Sequence, residues 1–445
     1  MTPPRGSPIR CRAGETSYKY PLARSACLIC LKDRPQRPLT TLLGPSLHPH
    51  LYVSGLATFE PALGRTIEFD TFRGGSVTFV NDDPIVIEHM TLTNNGVIRT
   101  PATITITDHL DWYAGTRFEG PGVVNIQNTM TLHPGGAQRS LTHRALNNAG
   151  LATFKSGLGL NYDDSVFTNL TTGTMDIQFD NTAINGGFLV NQGLLVKSSG
   201  AGITTLSSKI VNEGTMEVRQ GTLRFYTYYS FHFAQVAGTT LLNGGNIDMF
   251  GPESFVVNGG VVTGQGSITG HVNCAGGTIA PGMDIGTLNV VGPLTLGAAG
   301  AVRIELQGAD PGDFDVLEVT GTADLAGTLQ VASLDAFDPR IGDTFVVLTA
   351  GSVVGEFDSV TGPKYMDVLY DDQTVTLAFL APGDVDRDGD TDLRDNAAFQ
   401  ACFTGHAGPP SPHCPPGIDA DLDKDGDVDL DDYATGAQLP VSGPR

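Results

Sequence analysis

The chain has 445 residues, with 26 lysine and arginine residues against 48 aspartate and glutamate residues, so its formal net charge is −22 at pH 7. Nucleic-acid binding needs a basic surface that neutralises phosphates, and this composition argues against it. Charged residues make up only 17% of the chain while glycine contributes 56 residues, so the excess lies in turn formers rather than helix formers. No window approaches 18 consecutive apolar residues, and we expect no transmembrane segment.

The start of the chain differs from the rest in charge and composition. Residues 1–40 carry eight basic and two acidic residues and six prolines. We expect residues 1–50 to be a basic, disordered leader, without a recognisable export signal because its longest apolar stretch is too short. Cys27 and Cys30 form a C-x-x-C pair, which leaves half of a zinc site or a redox pair as alternatives.

From residue 51 to 300, short β-rich runs alternate with turns of asparagine and glycine, as is typical of strands. Similar phrases recur at intervals of 22, 22 and 21 residues and open with Asn147, Asn169, Asn191 and Asn212. A period of about 20–30 residues with strands and no helix predicts a β-solenoid. Asparagine tolerates the left-handed backbone of a tight turn, and stacked amides can pair in a ladder. We therefore predict a structural role for these asparagines.

A glycine-rich phrase, G-x-I-x-P-G-x-x-x-G-T-L, follows the rungs. Its residues are Gly277, Ile279, Pro281, Gly282, Gly286, Thr287 and Leu288. Residues 190–380 resemble the passenger-associated β-helix of autotransporter-type surface proteins. The resemblance implies a right-handed parallel β-solenoid, closed by a β segment at 301–380, in a protein found at the cell surface or outside the cell.

Parallel β-helices also serve polysaccharide lyases and glycosidases, which need paired carboxylates and basic partners. The charged residues on or near the rungs are Asp176, Glu217, Asp248, Glu253, Arg219, Arg224 and Lys197. They form no recognisable acid–base motif, so we assign no catalytic residue. An enzyme of this kind stays the alternative to a non-enzymatic protein.

An aromatic run covers residues 223–233. Alternation along a strand predicts two faces, one with Phe225, Tyr229, Phe231 and Phe233 and the other with Tyr226, Tyr228 and His232. Outward tyrosines can stack on sugar rings, whereas a strand with one aromatic core face is the more common case. Trp112 and Tyr113, beside His109 and Asp111, allow the same two interpretations.

Residues 381–445 contain two copies of a twelve-residue acidic loop, which begin 37 residues apart. Each copy has carboxylates at positions 1, 3, 5, 9 and 12 and a glycine, Gly389 or Gly426, at position 6. Calcium takes about six to eight oxygen ligands, and this spacing supplies them from one loop, with position 7 binding through its carbonyl. The predicted ligands of two Ca²⁺ ions are Asp384, Asp386, Asp388, Asp390, Asp392, Asp395, Asp421, Asp423, Asp425, Asp427, Asp429 and Asp432.

Both loops end in aspartate, where an EF-hand loop normally ends in glutamate, and we expect a short helix after each. With the G-D-V-D opening of the first loop, residues 382–440 resemble the duplicated type I dockerin repeat. The resemblance implies an α-helical, EF-hand-like module that docks onto a cohesin-like partner, with Asp390 and Asp427 binding calcium through their carbonyls. The partner-facing positions 10 and 11, usually Ser-Thr in the family, are Leu393-Arg394 and Leu430-Asp431 here.

Cys402 and Cys414 lie between the two loops, and in an exported protein we expect them to form a disulfide. Because like charges in each loop repel, we also expect the module to unfold in chelator and to order when calcium is added.

The sequence as a whole predicts a mainly β protein, with solenoid repeats at 51–300, a closing segment at 301–380 and the dockerin-like module at 381–445. The predicted function is that of an exported cell-surface or extracellular structural or adhesive protein, with a cohesin-like module and polysaccharide as candidate partners. The alternative is a dockerin-bearing polysaccharide-degrading enzyme.

Overall fold

The computed structural model describes residues 28–31, 50–59, 67–80, 82–93, 95–161, 164–228, 232–381, 383–385, 391, 393–406, 408, 411–415, 418, 420–421 and 426–432. Its internal contacts divide the chain into two units. Unit one comprises residues 1–262 and 266–272, and unit two comprises residues 263–265 and 273–445.

The strands that begin in unit one are β1 (Leu28–Leu31), β2 (His50–Phe59), β3 (Ile67–Phe79), β4 (Ile85–Leu92), β5 (Val97–Arg99), β6 (Ile104–Trp112), β7 (Arg117–Glu119), β8 (Val123–Ile126), β9 (Thr129–Leu132), β10 (Arg139–Thr142), β11 (Ala145–Asn148), β12 (Leu151–Phe154), β13 (Leu158–Asn161), β14 (Val166–Asn169), β15 (Thr174–Ile177), β16 (Asn181–Asn191), β17 (Leu194–Lys197), β18 (Ile203–Asn212), β19 (Thr215–Val218), β20 (Thr222–Tyr226), β21 (Phe233–Gln235), β22 (Thr239–Asn243), β23 (Asn246–Phe250), β24 (Phe255–Val257), β25 (Val261–Thr269) and β26 (Val272–Cys274).

Unit one is a parallel β-solenoid. Each strand pairs in parallel with its equivalent in the next turn, as β11, β12 and β13 do with β14, β15 and β16. Some longer strands pair with two shorter ones, as β16 does with β13 and β14. Alternate side chains point inward, so that Val124, Leu146 and Phe167 stack in register and are fully buried. The predicted β-solenoid is thus confirmed, while its handedness stays a prediction.

A ladder of buried asparagine amides runs through unit one. The Nδ2 group of each donates to the Oδ1 atom of the next at 2.8 Å, through Asn148, Asn169, Asn191 and Asn212. The first member is Asn148 and not the predicted Asn147, whose side chain donates outside the core to Asn125. The four ladder residues have no positive φ, so amide pairing accounts for them and left-handed turn geometry does not.

Arg139 and Arg144 are buried within the described part of unit one. The guanidinium of Arg144 donates to the carbonyls of Thr100 at 2.7 Å, Ala102 at 2.5 Å and Val123 at 3.3 Å. Arg139 is buried as well, and burial lowers the pKa of each guanidinium to about 10. Arg144 thereby contacts backbone from both of the preceding turns.

The strands of unit two are β27 (Thr278–Pro281), β28 (Thr287–Val291), β29 (Leu294–Leu296), β30 (Ala301–Leu306), β31 (Val316–Leu325), β32 (Thr328–Ser333), β33 (Thr344–Gly355), β34 (Ser359–Thr361), β35 (Met366–Tyr370) and β36 (Thr374–Phe379), followed by the helix α1 (Leu393–Cys402). Helix α1 has ten residues, and none of the helices in the described part of the chain is long and apolar enough to cross a membrane.

Unit two also begins as stacked parallel strands. Leu288, Leu317 and Leu348 pair in register from β28 to β31 to β33 and are buried. The direction then changes, because β36 pairs antiparallel with both β33 and β35. Gly282, in the glycine-rich phrase, has a φ of +78°, and a Cβ there would lie 2.6 Å from the carbonyl oxygen of Asp284. Only glycine fits this turn without displacing the backbone.

Candidate metal centre

The C-terminal module is organised around a small apolar core. Its buried members are Val385, Ala398, Phe399, Cys402, Ala420 and Val428, with Cys414 and Ile418 packed against them. Helix α1 contributes three of these residues, at spacings that place them on one helix face. Cys402 and Cys414 form the expected disulfide, which ties the end of α1 to the segment that precedes the second acidic loop.

The two ends of the first acidic loop meet. The backbone N–H of Val385, at loop position 2, donates to Oδ1 of Asp395, at position 12, at 2.7 Å. Asp395 lies in the first turn of α1, and both Asp395 and Asp384 are buried. The other predicted ligands of this loop, Asp386, Asp388, Asp390 and Asp392, lie outside the described residues.

The second acidic loop closes through its own backbone. The N–H of Gly426, which has a φ of +96°, donates to Oδ2 of Asp421 at 3.0 Å. The N–H of Asp429 donates to Oδ2 of Asp432 at 2.8 Å. Positions 6 and 9 are therefore held by the carboxylates of positions 1 and 12. Asp423 and Asp425 fall outside the described residues.

The link between the loops is attached to the second loop. The N–H groups of Thr404 and Gly405 donate to the carbonyl of Val428 at 2.8 and 3.0 Å, and the N–H of Val428 donates to Oγ1 of Thr404 at 3.1 Å. This contact places His406 beside the second loop, where its Nδ1 lies 3.4 Å from Oδ2 of Asp429.

His406, Asp427 and Asp429 form a cluster whose ligand-type atoms lie within 4.8 Å of one another. The loop pattern predicted the two aspartates but missed His406, which precedes the second loop by 15 positions and joins it only through folding. No local spacing could have found it.

The donor chemistry of the module is dominated by carboxylate oxygen. Five of the described carboxylates are buried, namely those of Asp384, Asp395, Asp427, Asp429 and Asp432. Burying an ionised carboxylate costs several kcal/mol unless it is paired, hydrogen-bonded or bound to a metal. Oxygen-rich donor sets of this kind suit a hard divalent cation such as Ca²⁺.

The charged residues considered for catalysis fall into separate groups in unit one. Asp176 and Glu217 occupy equivalent outward-facing strand positions two turns apart, with Val196 at the same position in the turn between them. Arg219 donates to Glu217 at 2.7 Å and Asn243 donates to the same carboxylate at 2.9 Å. The hydrogen bond from Arg219 is the main cause that lowers the pKa of Glu217, so this carboxyl group stays ionised.

The remaining candidates lie elsewhere. Lys197 is fully buried and donates from Nζ to Asp180 at 2.8 Å. It is part of the interior and not of a surface groove. Arg224 pairs with Asp248 at 2.7 Å on strands β20 and β23, while the N–H of Glu253 donates to Thr227 at 3.3 Å.

Of the two interpretations of Trp112 and Tyr113, a core role fits Trp112 and a partly exposed surface position fits Tyr113. Trp112 is fully buried, whereas Tyr113 stacks on His133 with ring centres 4.2 Å apart. Asp111 accepts hydrogen bonds from His133 at 2.6 Å and His109 at 3.0 Å. Burial raises the pKa of Asp111, but these hydrogen bonds outweigh it and lower the pKa below its ordinary value.

Among the concavities formed by the described residues, two shallow ones lie in unit two. One, of about 490 Å³, is lined by residues 351–353 and 371–373, and the other, of about 820 Å³, includes Arg340 and Tyr365. None of the charged residues considered for catalysis lines either concavity.

No model of a known protein family matches this chain, and no curated protein is significantly similar to it.

Proposed function

We propose that this chain is an exported, cell-surface or extracellular β-solenoid protein with a structural or adhesive role, and that its C-terminal module is a calcium-dependent, dockerin-like docking domain. The observation that carries the proposal is the burial of carboxylates at corresponding loop positions. Asp395 and Asp432, at position 12 of each loop, are both buried. Like charges buried in one small module need a cation to balance them.

Two calcium ions would be held by the twelve aspartates of the two loops, with Asp390 and Asp427 binding through their backbone carbonyls. Bound calcium would neutralise the acidic loops and contribute folding free energy to the module. Backbone N–H groups already orient Asp395, Asp421 and Asp432.

The exposed surface of the module supports a protein partner. Leu393 and Leu430 occupy position 10 of the first and second loop, and 83% and 69% of their surfaces are exposed. Both leucines occupy the position that faces the partner in the family that the module resembles, so they are available for contact with a protein partner. Because leucine replaces the serine expected from the dockerin resemblance, we propose a cohesin-like partner with an apolar contact surface.

The unit-one carboxylates support a non-enzymatic role over polysaccharide cleavage. A glycosidase needs one carboxylic acid that can donate a proton and a second carboxylate close to it. Glu217 is held ionised by Arg219, and Asp248 is paired with Arg224. Glu217 is buried between Val196 and Leu241, but the hydrogen bond from Arg219 lowers its pKa and opposes the protonated form that a general acid needs.

Calcium titration of the full chain, with proteolysis as the readout of folding, tests the proposal. The single tryptophan, Trp112, lies in unit one, so its fluorescence would not report on the module. We expect isothermal calorimetry to find two calcium ions per chain. In chelator a protease should remove residues 381–445 and leave 51–380 intact, because calcium-free loops open.

The Asp395→Asn and Asp432→Asn variants should each lose one bound ion. The control is Asp324→Asn, which changes an exposed aspartate on β31 and should leave the stoichiometry at two. A wild-type chain that binds no calcium at millimolar concentration, or a cleavage pattern that is the same in chelator and in calcium, would contradict the proposal.

A further inference from the structure

An exposed aromatic cluster lies on the outer surface of unit one, away from the proposed calcium loops in the sequence. It consists of Tyr226, Tyr228 and Phe250, and we call it the aromatic platform. The ring centres of the two tyrosines lie 5.2 Å apart, and each lies 5.9 Å from that of Phe250. Tyr228 and Phe250 are 45% and 44% exposed.

Strand alternation places the aromatic platform outside and a second aromatic group inside. Phe225 and Phe233 are buried, with ring centres 4.6 Å apart, and supply the core contacts of this turn. Tyr226 follows Phe225 along β20 and pairs in register with Phe250 of β23. The core therefore accounts for the buried rings, but core packing does not account for three aromatic rings on the outer face.

Polar groups complete the aromatic platform. Nε of Arg224 donates to Oδ2 of Asp248 at 2.7 Å, and the Arg224 guanidinium carbon lies 4.7 Å from the ring centre of Phe250. This pair uses one of the five N–H donors of the guanidinium and one carboxylate oxygen. Both side chains are partly exposed, so further donors and an acceptor are present beside the rings.

We propose that the aromatic platform binds an uncharged polysaccharide chain. A sugar ring offers an apolar C–H face that stacks on an aromatic ring, and hydroxyl groups that both donate and accept hydrogen bonds. The Arg224–Asp248 pair supplies both functions while its net charge is zero. The chain carries a net charge of −22, which disfavours acidic glycans. The open surface suits a long chain rather than an enclosed small molecule.

Affinity electrophoresis of the full chain in gels that contain one polysaccharide at a time tests this proposal. The panel is a β-glucan, a xylan, a galactomannan and an α-glucan, with pectate as the acidic comparison. We expect retardation by at least one neutral polysaccharide and none by pectate. The Tyr228→Ala/Phe250→Ala variant should bind at least tenfold more weakly, and Asp248→Asn should weaken binding without removing a ring.

The matched control is Tyr365→Ala, which removes a tyrosine that is 52% exposed in unit two and should leave binding unchanged. Because the platform residues lie outside the calcium loops, chelator should not reduce retardation, and this separates the inference from the proposed docking function. Thermal melting curves, recorded by circular dichroism, check that the platform variants fold.

Three results would overturn the inference. The first is a wild-type chain that no neutral gel retards, and the second is a folded platform variant that binds as tightly as wild type. The third is a wild-type dimer in analytical ultracentrifugation that the platform variant converts to a monomer, because the rings would then contact a second copy of the chain.

Discussion

Asn169→Ala tests the amide ladder of unit one. The Nδ2 group of Asn169 donates to Oδ1 of Asn191 at 2.8 Å and to the carbonyls of Leu194 at 3.1 Å and Gly173 at 3.2 Å. Without it, the buried Oδ1 of Asn191 loses its donor, which costs about 1–3 kcal/mol. The carbonyl of Gly173 still accepts a hydrogen bond from the N–H of Leu194. Asn148 loses its acceptor on Asn169 but still donates to the carbonyls of Gly150 and Thr174. With about 1 kcal/mol for this contact and the lost contact to Leu194, the free energy of unfolding should fall by about 2–4 kcal/mol.

Urea unfolding of the full chain, followed by far-ultraviolet circular dichroism at fixed calcium, measures this change. Asn147→Ala is the matched control, because Asn147 donates to Asn125 at 3.0 Å on the partly exposed outer face. We expect the control to lose less than about 1 kcal/mol. If Asn169→Ala and Asn147→Ala differ by less than about 0.5 kcal/mol, the buried ladder contributes nothing that an outer asparagine pair does not, and the reasoning fails.

Three further predictions concern buried groups. Burial raises the pKa of Asp315 to about 7, so the folded state binds the carboxyl proton more tightly than the unfolded state does. As pH rises from about 4 to 7, the free energy of unfolding of wild type should therefore fall relative to that of Asp315→Asn, by up to about 4 kcal/mol. A difference between the two proteins that stays constant over that range in urea unfolding would refute it. Cys402→Ser/Cys414→Ser removes a crosslink worth about 3 kcal/mol. Because two calcium ions are proposed to bind as the module folds, the calcium concentration at half-folding should rise about tenfold, and an unchanged midpoint would contradict the role of the disulfide. Asp180→Ala leaves the buried ammonium of Lys197 with the carbonyl of Ser199 but without its carboxylate. Because Asp180 is 40% exposed, the cost in urea unfolding should be about 1–3 kcal/mol, below that of a fully buried pair, and adding Lys197→Met should recover most of it. A double variant no more stable than the single one would exclude that cause.

The spacing of asparagines was enough to predict the solenoid, but not which asparagine of each turn points into the core. The ladder residues each follow a buried apolar side chain by two positions, as Asn169 follows Phe167 and Asn191 follows Leu189. The same rule selects Asn148, two positions after Leu146, instead of Asn147. Strand alternation was therefore the missed signal, and repeat spacing alone could not distinguish neighbours in an Asn-Asn pair.

Charged residues were harder to place than asparagines. Lys197 occupies an inward position after Leu195, but a lysine is rarely buried, so its chemistry suggested the surface. In the C-terminal module the loop spacing identified Asp395 and Asp432, whose side chains accept hydrogen bonds from the backbone of their own loops. His406 depends on the contact between Thr404 and Val428, which no sequence pattern encodes.

Arg144 links neighbouring turns of unit one and should affect how that unit unfolds. In a solenoid whose turns contact only their neighbours, turns can be lost one at a time from an end. The guanidinium of Arg144 is anchored to Thr100 and Ala102 two turns earlier, and to Val123 in the turn between. Opening any of these turns would deprive a buried cation of its acceptors. The three turns should therefore behave as one cooperative block, which yields in a single step when heat, denaturant or a pulling force is applied.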